Sequence, residues 1–120
     1  MTLNDVKEIL GARALAGEEY LSREVASACG ADLMSDVLAF SKEKVLLLTG
    51  LVNPQVVRTS EMMDIRAIMF VRGKIPGQEI IDLAREKSIV IMATEHPMYI
   101  ACGLLYANGL RGGEENAPSL

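Results

Sequence analysis

The sequence predicts a compact α/β domain in three layers, with a largely parallel sheet flanked by helices. Three observations predict it. Apolar runs at Val45–Leu48, Ala67–Val71 and Ile89–Ala93 are strand-sized and unbroken, as in strands covered on both faces. Each run stops at a small or polar break: Thr49-Gly50, Arg72-Gly73 and Thr94-Glu95. Each break then leads into a segment whose apolar residues fit a helix. Repeated strand–helix units joined by right-handed crossovers make parallel neighbours, so the breaks gather at one rim, where such sheets bind ligands.

The elements follow in order. Leu3, Val6, Ile9 and Leu10 recur at helical spacing, with Thr2 or Asn4 available as a cap and Gly11 as a stop. Ala12–Ala16 and Val25–Cys29 read as two short strands joined by the charged stretch Gly17–Glu24. Asp32–Phe40 carries Leu33, Met34, Val37 and Leu38 in a helical pattern, with Asp32 as its expected cap. Val45–Leu48 is expected at the centre of the sheet. Asn53-Pro54 opens the next helix, which runs to about Asp64, because Asn caps free amides and proline tolerates the first helical position. After Ala67–Val71, a turn from Arg72 to Gly77 enters a helix with Ile80, Leu83 and Ala84 inward. After Ile89–Ala93, the last helix starts near His96-Pro97.

That last helix, Met98–Ala107, has almost no polar face. Such a helix is normally covered on every side, either by the first helix and the early strands or by a second copy; homodimerisation is the expectation. Residues 1–110 are expected to form one domain, and 111–120, with Gly112-Gly113, Glu114-Glu115 and Pro118, a flexible tail.

Composition removes several classes of function. A chain of 120 residues supports one core. No apolar run approaches the roughly 20 residues of a membrane span, and the N-terminus has neither a basic leader nor an apolar signal core, so a cytoplasmic address is expected. The net charge of -4 and the scattering of the 12 Lys and Arg disfavour nucleic acid. With 4% aromatics and no Trp, base stacking has few platforms, while seven Met give an adaptable core. Cys29 and Cys102 stand alone among small apolar residues and read as buried thiols.

The chemistry-bearing motifs are absent: no phosphate loop, no GxGxxG, no GxSxG, no HExxH and no CxxC. His96, the single histidine, reads as a helix-entry residue. Asp32 and Asp36 share a helix face, yet no further acid or histidine nearby makes a metal pair. No catalytic residue, metal or cofactor is expected. The strand ends hold more promise. Thr49-Gly50 precedes a helix whose free amides and dipole favour an anion, Arg58 adds charge one turn in, and Arg72, Gly73 and Thr94 approach from neighbouring strand ends. Two readings stay open: an anionic or nucleotide-like ligand, or glycines that only turn corners while Arg58 pairs with Glu61 or Asp64.

Taken in order, Ser35-Asp36-Val37-Leu38-Ala39, Leu46-Leu47-Leu48-Thr49-Gly50, Arg58-Thr59, Asp64-Ile65-Arg66-Ala67-Ile68 and Gly73-Lys74-Ile75-Pro76 resemble the DRTGG domain family, over Leu3 to Leu110. The resemblance implies a fold like the N-terminal domain of HPr kinase/phosphorylase, shared with the middle region of some phosphotransacetylases and inserts beside CBS domains in some pyrophosphatases. It implies a regulatory or ligand-sensing module, and it places Ser35, Asp36, Thr49, Gly50, Arg58, Asp64 and Gly73 on the family pattern. One departure stands out: Val71-Arg72-Gly73 occupies the place of Thr-Gly-Gly. The bulky, charged Arg72 would reshape that loop and favour anions.

The expected function is a stand-alone, non-catalytic module that binds a small anionic metabolite or nucleotide through Ser35, Asp36, Thr49, Gly50, Arg58, Arg72, Gly73 and Thr94. The alternative is a scaffold subunit that docks on a larger metabolic enzyme.

Overall fold

The computed structural model describes residues 1–40 and 42–111. Five strands, β1 (Arg13–Ala16), β2 (Ser27–Gly30), β3 (Val45–Thr49), β4 (Ala67–Phe70) and β5 (Val90–Ala93), form one sheet in the order β1-β5-β4-β3-β2. β2 to β5 are parallel to one another; β1 runs antiparallel to β5 at the edge. The helices are α1 (Leu3–Leu10), α2 (Met34–Ala39), α3 (Pro54–Met62), α4 (Gln78–Glu86) and α5 (Met98–Ala107). The mixed α/β class, the largely parallel sheet and the flanking helices are as expected. Of the expected tail, 112–120 lies outside the described residues.

Local chemistry sets the boundaries. Thr2 caps α1 in a reciprocal box: the Asp5 amide donates to Thr2 Oγ1 at 3.2 Å and the Thr2 amide donates to Asp5 Oδ2 at 2.9 Å. Gly11 closes α1 in the left-handed conformation, φ 56°. Asn53 Oδ1 accepts from the Gln55 amide at 2.9 Å, with Pro54 opening α3. Asp32 departs from expectation. Leu33, not Asp32, precedes the first turn of α2, and it makes no side-chain cap; the Asp32 carboxylate is drawn away by the end of β3.

The unbroken apolar runs are explained by burial on both sides: every residue of β3, β4 and β5 is buried. Leu46, Leu48, Met69 and Met92 pack with Val6 of α1 and Ala101 and Leu105 of α5. Leu47, Ile68, Phe70 and Ile91 pack with Val37, Val57 and Ala84 from α2, α3 and α4. The middle of the sheet is β4, while β3, expected there, lies one place toward the β2 edge. The chain therefore steps from β2 to β5 in one direction, which puts α2, α3 and α4 on one face.

Two consequences bear on function. First, α5 is covered on one side only: Ala101 and Leu105 are buried, but Tyr99 is 86% exposed, Tyr106 54% and Ile100 43%. Second, the connection from β1 to β2 spans the sheet from edge to edge, through a 3-10 turn at Glu18–Tyr20 and past the starts of the parallel strands. Along that path Arg23 donates to the Ser88 carbonyl at 2.7 Å, and the Val25 amide to the Met1 carbonyl at 2.8 Å. No helix among the described residues is long and apolar enough to cross a membrane.

Candidate functional site

The parallel register carries the ends of β2, β3, β4 and β5 to a common carboxyl rim, where backbone hydrogen bonds lace them together. Ala31 donates to Leu48, Val71 to Thr49 and Thr94 to Phe70, at 3.0, 3.1 and 2.9 Å. The loops continue this lacing: the Arg72 amide donates to the His96 carbonyl at 2.8 Å and the Gly73 amide to the Thr94 carbonyl at 2.9 Å.

Asp32 organises one half of the rim. Its Oδ1 accepts from the Gly50 amide at 2.7 Å and from the Thr49 hydroxyl at 3.2 Å, while Thr49 Oγ1 accepts from the Leu51 amide at 3.1 Å. A carboxylate that gathers a turn's donors in this way replaces an external anion at that turn. Sequence reasoning missed this role. The available signal was position: Asp32 lies two residues beyond Gly30, at a fourth strand end that falls in line with the other breaks.

Arg72 and Glu95 organise the other half. Arg72 at φ 60° and Gly73 at φ 68° form a tight turn closed by the Lys74 amide donating to the Val71 carbonyl at 3.2 Å. Left-handed backbone suits glycine but costs another residue about 1–2 kcal/mol. The Arg72 guanidinium lies against Gly50, where an added Cβ would stand 2.6 Å from Nη2; at Gly73 a Cβ would stand 2.7 Å from Glu95 Oε2. Both contacts are made by the far ends of exposed, flexible side chains that can swing aside, so it is Gly73, through its φ, that the backbone requires to be glycine.

The remaining expected residues divide. Thr94 is buried, and its hydroxyl donates to the Leu10 carbonyl at 2.8 Å, tying β5 to the end of α1. Ser35 and Asp36 are exposed in the first turn of α2. Arg58 is exposed on α3 without an ion pair among the described residues: Glu61 pairs with Lys87 at 3.1 Å and Asp64 with Arg66 at 3.2 Å. His96 joins the rim through its backbone.

The two thiols are the titratable groups near this rim whose behaviour burial changes. Burial, then Asp36 and Cys102, push the Cys29 thiol up, and burial raises Cys102, so both stay protonated and weakly nucleophilic at neutral pH. Among the described residues no three His, Cys, Asp or Glu side chains gather to hold a metal. What the rim does offer is an exposed cation, Arg72, between two carboxylate-bearing loops.

An α/β domain of this architecture also occurs in the crystal structure of the CBS and DRTGG domains of the regulatory region of Clostridium perfringens pyrophosphatase, complexed with the activator diadenosine tetraphosphate. The two agree with a TM-score of 0.68 at 20% identity, over 87% of this chain and 45% of that one. The chain thus spans less than half the length of this structural neighbour, and the likeness is one of fold. No protein-family model matches the sequence, and no curated protein matches it either.

Proposed function

We propose that this chain is a DRTGG-type regulatory domain that performs no chemistry of its own and senses a small anionic metabolite or nucleotide at the carboxyl rim, in the cytoplasm. The observation that carries this reading is Arg72. A non-glycine residue held at φ 60° keeps its guanidinium on Gly50 while its amide is tied to His96, so one strained position links the ends of β3, β4 and β5. Lys44, Asp64 and Ser88 share the left-handed backbone, so what sets Arg72 apart is the guanidinium laid on Gly50 at the meeting of three strand ends. An anion competing for Arg72, with Arg58 nearby in sequence order on α3, would draw the side chain off Gly50 and alter the loops of all three strands. The fold it shares with a regulatory region crystallised with diadenosine tetraphosphate supports a nucleotide as the first candidate.

Thermal denaturation against adenine nucleotides, diadenosine tetraphosphate and acetyl phosphate tests the reading. A ligand at a hundred times its Kd adds about 2.7 kcal/mol, a shift of several degrees for a domain of this size. Arg72→Glu should abolish the shift. A flat response across the panel would leave this function without support.

A second reading rests on a separate observation, the open apolar side of α5 with Tyr99, Ile100 and Tyr106. Contiguous exposed apolar surface marks interaction sites. It suits a homodimer that relays ligand binding, or a scaffold subunit docked on a larger metabolic enzyme. Sedimentation of wild type and Ile100→Asp separates these: a dimer lost in the variant supports the first, and a wild-type monomer favours the second.

A further inference from the structure

We propose a second ligand site at the opposite, amino rim of the sheet, for a small amphipathic anion: an apolar body carrying a phosphate or carboxylate group. A cavity of about 640 Å3 opens there, within the 300–1,000 Å3 range of small-molecule sites. Its floor is apolar and deeply buried, from Leu3, Val25, Val45 and Ala67. Its mouth is charged. The cations are Arg23, Lys42, Lys44 and Arg66; the carboxylates are Glu24, Glu43 and Asp64.

The charges do not cancel locally. Lys44 pairs with Glu24 at 3.4 Å and Arg66 with Asp64 at 3.2 Å. That leaves Arg23 and Lys42 against Glu43. Arg23 is held firmly, but by neutral groups: it donates to the carbonyls of Ser88 at 2.7 Å and Arg66 at 3.5 Å, and stacks over the Tyr20 ring at 4.0 Å. No carboxylate among the described residues lies within ion-pairing distance of it. Burial, then the neighbouring Arg66 charge, pull the Arg23 guanidinium below its usual range, against a smaller opposing effect of Tyr20 and Glu19. A second cavity of about 330 Å3 adjoins the first and shares Arg23, Asp64 and Arg66, so Arg23 stands at the junction of the two. A guanidinium fixed in place, beside a second one and above an apolar floor, is organised for an anionic head whose body fills the cavity. The proposal stands whether or not the carboxyl rim takes a ligand.

Titrations with hexyl phosphate, hexanoate and the neutral control hexanol, followed by amide nitrogen–proton NMR of the whole chain, test it. Either anion should give saturable shifts at Arg23, Val25, Val45 and Ala67 while Gly50 and Gly73 stay in place; which anion does so identifies the head group. Arg23→Met should weaken binding about tenfold, the loss of one charge-assisted hydrogen bond. Lys42→Gln, on an exposed side chain with no packing role, should weaken it about threefold and decides the matter should Arg23→Met fail to fold. Arg72→Glu should bind as wild type does. Absence of saturable shifts overturns the proposal. So do equal shifts from hexanol, shifts confined to Gly50 and Gly73, or a folded Lys42→Gln variant with unchanged affinity.

Discussion

At the carboxyl rim the ends of β2, β4 and β5 donate to a neighbouring strand, and Asp32, Arg72 and Glu95 lie against the turns; at the amino rim a cavity of about 640 Å3 lies beneath the Arg23 segment. Both rims belong to one sheet, so the difference comes from the connections. On the carboxyl side, the one-directional walk from β2 to β5 makes every strand end a neighbour of the next, and adjacent turns satisfy one another. It also provides no reversal of strand order within β2 to β5, the place where parallel sheets open a crevice. On the amino side, the connection from β1 to β2 has to cross strands that do not adjoin it in sequence. The cavity lies along that crossing. A gathering of small or polar breaks thus predicts where strand ends meet, while the route of the one connection that crosses the sheet from edge to edge coincides with the place where space is left.

Four substitutions probe the contrast between the rims. A single core joins them, and Phe70, fully buried in the middle strand, is its largest side chain there: Phe70→Ala should cost about 3–5 kcal/mol in urea denaturation, and a loss below 1 kcal/mol would show that the rims are not so coupled. Thr94→Val removes the hydroxyl that ties β5 to Leu10 and leaves a buried carbonyl without a partner, a cost of about 1–3 kcal/mol; unchanged stability would mean that this tie contributes nothing to closing the rim. Asp32→Ala frees the Gly50 amide and the Thr49 hydroxyl. We expect a loss of about 1.5 kcal/mol together with faster amide exchange at Gly50, and exchange as slow as in wild type would remove Asp32 from the clasp. Smallest, and opposite in sign, is Arg72→Gly. Relief of the left-handed backbone exceeds the added freedom of the unfolded chain, so stability should rise by less than about 1 kcal/mol while any anion response at this rim disappears. A destabilised Arg72→Gly would mean that the guanidinium on Gly50 holds the rim together.

Much of this was legible residue by residue. Val45–Leu48, Ala67–Val71 and Ile89–Ala93 read as covered strands because apolar continuity has one simple cause in an α/β sheet, and the structure buries all three. Asn53-Pro54 and Gly11 marked helix ends because capping is decided within a few residues. Of the candidate site, the meeting of Thr49-Gly50, Arg72-Gly73 and Thr94 at one rim was legible, as a consequence of parallel pairing. The direction of side chains there was not. Thr94 faces the α1 end, which precedes it by 84 positions, and Asp32 serves β3 in place of its own helix.

Periodicity and capping act between residues a few positions apart, so the helices, the buried strands and the rim to which their ends run were all written in the order of the amino acids. Strand order is settled by burial of both faces across the whole chain. It took the assembled sheet to place β1 and β2 at opposite edges, bring Arg72 over Gly50, and carry Arg23 to the Ser88 carbonyl, 65 positions away. Contacts of that separation are fixed by the packing of the entire sheet, and no local pattern encodes them.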